Sequence, residues 1–149
     1  MADDSGDWVI SYNGELYNHE VLRQELIKKF SVTFRGRSDT EVVLYAIKYF
    51  GIDEFLRKAD GMFAFAVFNK KLNTITLVRD GFGMKPMYFI KTKNDLSFSS
   101  EINALLKLSK KKGEVNYEVA YQYLVQNTYD FSKQTFFKNI FQLEPGHLI

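Results

Sequence analysis

The sequence contains no cysteine. That absence excludes a disulfide framework, a thiolate metal centre and a cysteine nucleophile within these 149 residues. Histidine is almost as scarce. His19 and His147 stand far apart, in no spacing that points to a metal site. Long apolar runs are missing too, and none approaches the roughly 18 residues of a membrane span. The start, Met1-Ala2-Asp3-Asp4-Ser5, is acidic and polar, the opposite of a secretory leader. A cytoplasmic protein is the expectation. Charge of one sign is not in excess either. The net charge is +2 with Lys and Arg dispersed, too weak to imply a nucleic-acid partner.

What is present fits one compact domain. Hydrophobic residues at 46% and charged residues at 26% lie near globular averages, which argues against disorder. The 14 Phe and 9 Tyr read first as core and second as interface.

Local patterns divide the chain into a helical first third and a strand-rich middle. Trp8 to Tyr12 is β-rich and leads into Asn13-Gly14, a turn pair. Asn18 is placed to cap a helix from His19 to about Phe30, with Leu22, Leu26 and Phe30 as its buried stripe. Ser38 and Glu41 have capping-box spacing, so a second helix starts at Asp39. It buries Val42, Val43, Ala46, Ile47 and Phe50 and stops at Gly51. Another helical turn is expected over 53–58. Met62 to Phe68 is continuously apolar, as in a strand buried on both faces, and pairs through a polar turn with Thr74 to Val78. A second hairpin joins Met87–Ile90 to Leu96–Ser99. Helices follow near 101–108 and, capped by Asn116, through Gln126, with a solvated lysine loop at 110–112 between them. Without βαβ alternation, this pattern points to an antiparallel α+β domain.

Five segments belong together: Asn13 to Asn18, Ser38 to Glu41, Asp60 to Ala66, Arg79 to Pro86 and Phe98 to Ile102. In this order and spacing they resemble the class II glutamine amidotransferase (glutaminase) domain of asparagine synthetases, from about Trp8 to the end. The resemblance implies an α+β fold: a four-layer αββα sandwich of two antiparallel sheets, of the N-terminal-nucleophile hydrolase type. It also implies release of ammonia from glutamine for a second, ATP-using domain. Asn13 and Gly14 match the positions whose side-chain NH₂ and backbone N–H stabilise the tetrahedral oxyanion. Asp39, with Glu15 beside it, matches the carboxylate that holds the glutamine α-ammonium. Each has a plainer reading, since Asn-Gly is an ordinary turn signal and acids favour a first helical turn. Arg79-Asp80 reads as a buried ion pair anchoring the following loop. Gly81, Met84 and Met87 depart from the Arg, Ile and Leu commoner in the family.

The family nucleophile is an N-terminal cysteine whose own α-amine, or an adjacent water, serves as base. The resemblance implies that it lies, with a carboxylate-binding arginine and several strands, ahead of the region matched here. Residues 1–149 are therefore expected to be a partial amidotransferase domain, incomplete at the N-terminus, with 137–149 opening the passage to a synthetase domain. No cofactor is expected in this chain; ATP and Mg would belong to that synthetase domain. Glutamine and the synthetase domain are the expected partners, and self-association is expected through unpaired strand edges. Two alternatives remain: a non-catalytic remnant or binding module, and an amidotransferase domain serving a different acceptor.

Overall fold

A computed structural model describes residues 1–109, 113–128 and 132–149; the lysine run at 110–112 lies outside them. The first strand, β1 (Trp8–Leu16), does not end at Asn13-Gly14. It runs straight through the pair and joins β2 (Gly61–Asn69) antiparallel without a bulge, Asn13 opposite Ala64 and Gly14 opposite Phe63. Cross-strand contact, not turn geometry, requires Gly14. A Cβ there would fall 2.4 Å from the Met62 carbonyl oxygen and 2.7 Å from the Phe63 Cα. Gly61 answers the same demand at the strand's other end, where a Cβ would meet the Glu15 carbonyl oxygen at 2.3 Å. The Asn-Gly turn reading fails because this close approach is a tertiary fact.

β3 (Thr74–Arg79) pairs with β2 through the expected turn, closed by Asn73 in the left-handed region (φ 50). The sheet order is β1-β2-β3. The central strand presents Phe63, Phe65 and Val67 to one side and Ala64 and Ala66 to the other. The large side packs under three helices, α1 (His19–Phe30), α2 (Asp39–Phe50) and α3 (Ile52–Lys58), around fully buried Phe55 and Phe65. Each such side chain contributes about 1.5–3 kcal/mol through burial. The small side admits a second sheet, β4 (Tyr88–Lys91) flanked by β5 (Leu96–Ser99) and β6 (Phe141–Gln142). Its Phe89 and Phe98 pack with Met87, Leu143 and Leu77. α4 (Ile102–Ser109) covers β4 and β5, and α5 (Tyr117–Gln126) follows it. The result is the expected α+β sandwich, two antiparallel sheets between helices.

Several local expectations are corrected. Asn18 precedes α1 but makes no side-chain cap; its amide donates to the Lys58 carbonyl (2.8 Å) and accepts from the Asp60 N–H (3.1 Å). It ties α1 to the α3–β2 connection. Phe30 is 39% exposed and stacks on Tyr49 instead of joining Leu22 and Leu26 in the core. Ser38 does cap α2, accepting the Thr40 N–H at 3.2 Å. Glu41 does not complete a capping box. It is buried and accepts the N–H groups of Arg35 (2.9 Å) and Gly36 (3.1 Å), fixing the loop ahead of the helix.

Arg79 and Asp80 are both buried but do not pair with each other. The Arg79 guanidinium donates to the carbonyls of Gly83, Lys85 and Leu143, so it joins the first sheet to the chain leaving β6. The Asp80 carboxylate accepts four backbone N–H groups, from Phe63, Phe82, Met84 and Lys85. Burial alone would raise its pKa; those donors outweigh burial and hold it below the usual carboxylate value. The C-terminal residues also enter the sandwich. Leu77 and Ile149 exchange backbone hydrogen bonds at 2.7 and 3.0 Å along the free edge of β3.

Candidate functional site

β1 is an edge strand, and its alternation settles which groups face out. The N–H of Ile10 is taken by the Met1 carbonyl (2.8 Å) and that of Leu16 by Asp39 Oδ2 (3.0 Å), both on the side away from β2. Gly14 lies between them in the same two-residue period of an unbroken register. Its N–H therefore points to the open edge. Odd-numbered Asn13 and Glu15 are exposed on the opposite pleat from core-facing Ile10 and Leu16.

Asp39 is the first residue of α2, and its position is built from both directions. Oδ2 accepts the Leu16 N–H, while Oδ1 accepts the Thr40 N–H at 2.7 Å. The carboxylate thus joins the end of β1 to the start of α2 and keeps acceptor capacity for a further donor. Behind it the 35–38 loop is held by Glu41 and by Arg23. The buried Arg23 guanidinium donates to the carbonyls of Gly36 (3.0 Å) and Ser38 (3.2 Å) and lies 4.2 Å over the Phe34 ring. The Tyr12 hydroxyl is sequestered below without a formed hydrogen bond. Its pKa is pushed up first by burial and then by the Asp39 charge.

Gly14, Glu15 and Asp39 line one open cleft of about 550 Å³, together with Tyr17, His19 and Arg37. Asn13 does not line it. Its side chain enters the neighbouring cleft between the sheets, about 410 Å³, where Nδ2 donates to the Ser100 hydroxyl at 3.0 Å. Three of the four residues singled out from sequence therefore meet in one cleft, and the fourth stands one strand position away. The sequence reading missed Tyr17, His19 and Arg37. Only the packing of β1 against the α2 start brings them there, and no local pattern signals it. Chemically the cleft offers acceptors for a cation at Asp39 and Glu15, the Gly14 N–H as a donor at the strand edge, and a cationic residue, Arg37, in its lining.

A family model described as a glutamine amidotransferase domain matches residues 1–149. The chain is 33% identical over its whole length to asparagine synthetase (glutamine-hydrolyzing) 2 of Bacillus subtilis, covering 20% of that protein. It is 34% identical over 97% of its length to asparagine synthetase (glutamine-hydrolyzing) 1 of the same species, covering 22% of it. The chain thus spans about a fifth of the length of these curated relatives. Among solved structures it is similar in fold to the glutamine phosphoribosylpyrophosphate amidotransferase of B. subtilis. That match has a TM-score of 0.57 at 22% identity, over 77% of this chain and 27% of the other. With its sandwich fold and its full-length match, the chain belongs to the glutamine amidotransferase domain family.

Proposed function

We propose that this chain carries the glutamine-recognition and oxyanion-stabilising part of a glutaminase whose ammonia feeds an ATP-dependent amidation, typically of aspartate to asparagine. The observation that carries this reading is the meeting of Gly14, Glu15 and Asp39 in one cleft, with Asn13 adjacent on the same strand. Asp39 and Glu15 take the α-ammonium of glutamine. The outward Gly14 N–H and the Asn13 amide stabilise the oxyanion formed as the side-chain amide is attacked. ATP and Mg act in the synthetase domain that consumes the ammonia. Because the 149 residues hold no cysteine, they do not by themselves hydrolyse glutamine. The same absence favours a second reading, a non-catalytic binding module.

Ammonia release from glutamine by the purified chain tests the first point, and background rates are expected. A Cys-initiated segment of the family type, joined ahead of Met1, is expected to confer release that a Cys→Ala change in that segment abolishes. Enzyme-like rates from the unmodified chain would overturn the assignment of the nucleophile. A joined protein that folds, binds glutamine and stays inactive would favour the binding module.

A further inference from the structure

We propose that Ser100 is a positioning residue for the Asn13 amide: its hydroxyl engages one hydrogen of Nδ2 and so leaves the other presented to the oxyanion. This rests on the glutaminase reading above. Phe98 to Ile102 is one of the five segments of the ordered set, yet the cleft of Gly14, Glu15 and Asp39 gives it no role. The fold brings it to Asn13 instead. Asn13 Nδ2 on β1 donates to Ser100 Oγ at 3.0 Å, across 87 positions of sequence and from the first sheet to the end of the second. Both residues line the cleft of about 410 Å³ between the sheets.

Asn13 needs such a partner. The terminal torsion of an asparagine is broad and roughly two-fold, so an unheld amide also turns its carbonyl, an acceptor, towards the site. An oxyanion is stabilised by donors already in place. Opposite Asn13 on β2 stands buried Ala64, whose side chain has no polar group. Among the described residues the Asn13 side chain makes no hydrogen bond other than the one to Ser100. The place of Ser100 is itself fixed. Ser99 Oγ accepts the Glu101 N–H at 3.1 Å, closing the turn from β5 into α4, and fully buried Leu105 seats α4 against the second sheet. The sheets are joined without the Ser100 hydroxyl, by the buried Arg79 guanidinium and by the packing of Ala64, Ala66 and Leu77 on Met87 and Leu143. Loss of that hydroxyl therefore bears on the orientation of Asn13 and not on the stability of the sandwich.

Two measurements test this. In the intact chain, NMR of the Asn13 side-chain NH₂ reads its restraint. Two well-separated proton shifts and a high order parameter are expected. Ser100→Ala is expected to move both towards the values of a free asparagine, and Ser100→Thr, which keeps the hydroxyl, to preserve them. In the protein led by the Cys-initiated segment, Ser100→Ala is expected to lower kcat for glutamine by about two- to tenfold, the worth of one neutral hydrogen bond. KM and Tm should stay unchanged, as for an interaction made only in the transition state. Asn13→Ala is expected to lower kcat by about a hundred- to a thousandfold. Adding Ser100→Ala to it should cost nothing more, because the hydroxyl then has no amide to hold. A merely structural Ser100 would lower Tm and reduce the rate equally in both backgrounds. If Ser100→Ala leaves the Asn13 NH₂ or kcat unmoved, or if the two losses multiply, the Ser100 proposal fails and the glutaminase reading stands. If the joined protein with both residues intact folds and releases no ammonia, the glutaminase reading fails and the role of Ser100 with it.

Discussion

Asp80→Asn isolates how a single buried carboxylate holds the loop after β3. In the native chain Oδ1 accepts the N–H groups of Phe82 and Met84, each at 3.0 Å. Oδ2 accepts those of Phe63 (3.3 Å) and Lys85 (3.1 Å). Asparagine has the same shape but only one acceptor oxygen. Two N–H groups would then face an NH₂ donor in a site only 3% exposed. Hydrogen bonds to a charged group contribute roughly 1.5–3 kcal/mol each, so losing two costs about 3–6 kcal/mol. For a chain of this size that lowers Tm by roughly 10 °C or more. Asp53→Asn is the control: an exposed first-turn acid of α3, worth under about 1 kcal/mol. Thermal unfolding followed by circular dichroism compares the two. A Tm for Asp80→Asn within a few degrees of the control would refute the four-donor account.

Two other outcomes follow from the packing. Gly14→Ala forces a Cβ against the β2 backbone, with 2.4 Å to the Met62 carbonyl, so β1 must shift or detach. The expected loss is about 1–3 kcal/mol or more, seen as lower Tm and faster amide exchange across Tyr12–Leu16. Asp3 is buried; burial alone would raise its pKa, but Lys48, the Trp8 N–H and Ser5 outweigh it and lower the value from 3.8 to about 2. A depressed folded pKa gives stability that is present above the unfolded value and lost as pH falls. About 2 kcal/mol should therefore disappear between roughly pH 4 and 2. Acid unfolding curves of Asp3→Asn should be flatter over that window, and an unchanged slope would count against the Lys48 pair.

The helices and hairpins were legible in the sequence because their signals are local. Ser38 ahead of Asp39, Gly51 after Phe50 and the polar turn between β2 and β3 each act within a few residues. Asn13-Gly14 misled because the glycine answers to Met62 and Phe63 across the ladder. β6 was invisible because two residues carry no alternation. Arg79-Asp80 looked like a pair because adjacent opposite charges suggest one, whereas each is neutralised by separate backbone dipoles. Of the site, Asp39 and Gly14 could be named from motif order. Its lining by Tyr17, His19 and Arg37 depends on how β1 meets α2, which no short pattern encodes.

The central claim is that Asp39 recognises glutamine as well as joining β1 to α2. In the Cys-led protein, kcat/KM for glutamine is the measurement, taken for Asp39 and Asp39→Asn beside their melting points. Losing the partner of a bound ammonium costs roughly 2–5 kcal/mol, a fall in kcat/KM of about 30-fold to several thousand-fold. The Leu16 and Thr40 N–H groups also bond this carboxylate. Weakening one of them costs about 1–3 kcal/mol, so Tm should fall by several degrees while the protein stays folded. The account predicts the kinetic loss at assay temperatures well below both melting points. An Asp39→Asn protein that melts lower yet retains wild-type kcat/KM would contradict it, leaving Asp39 as a helix-start residue alone.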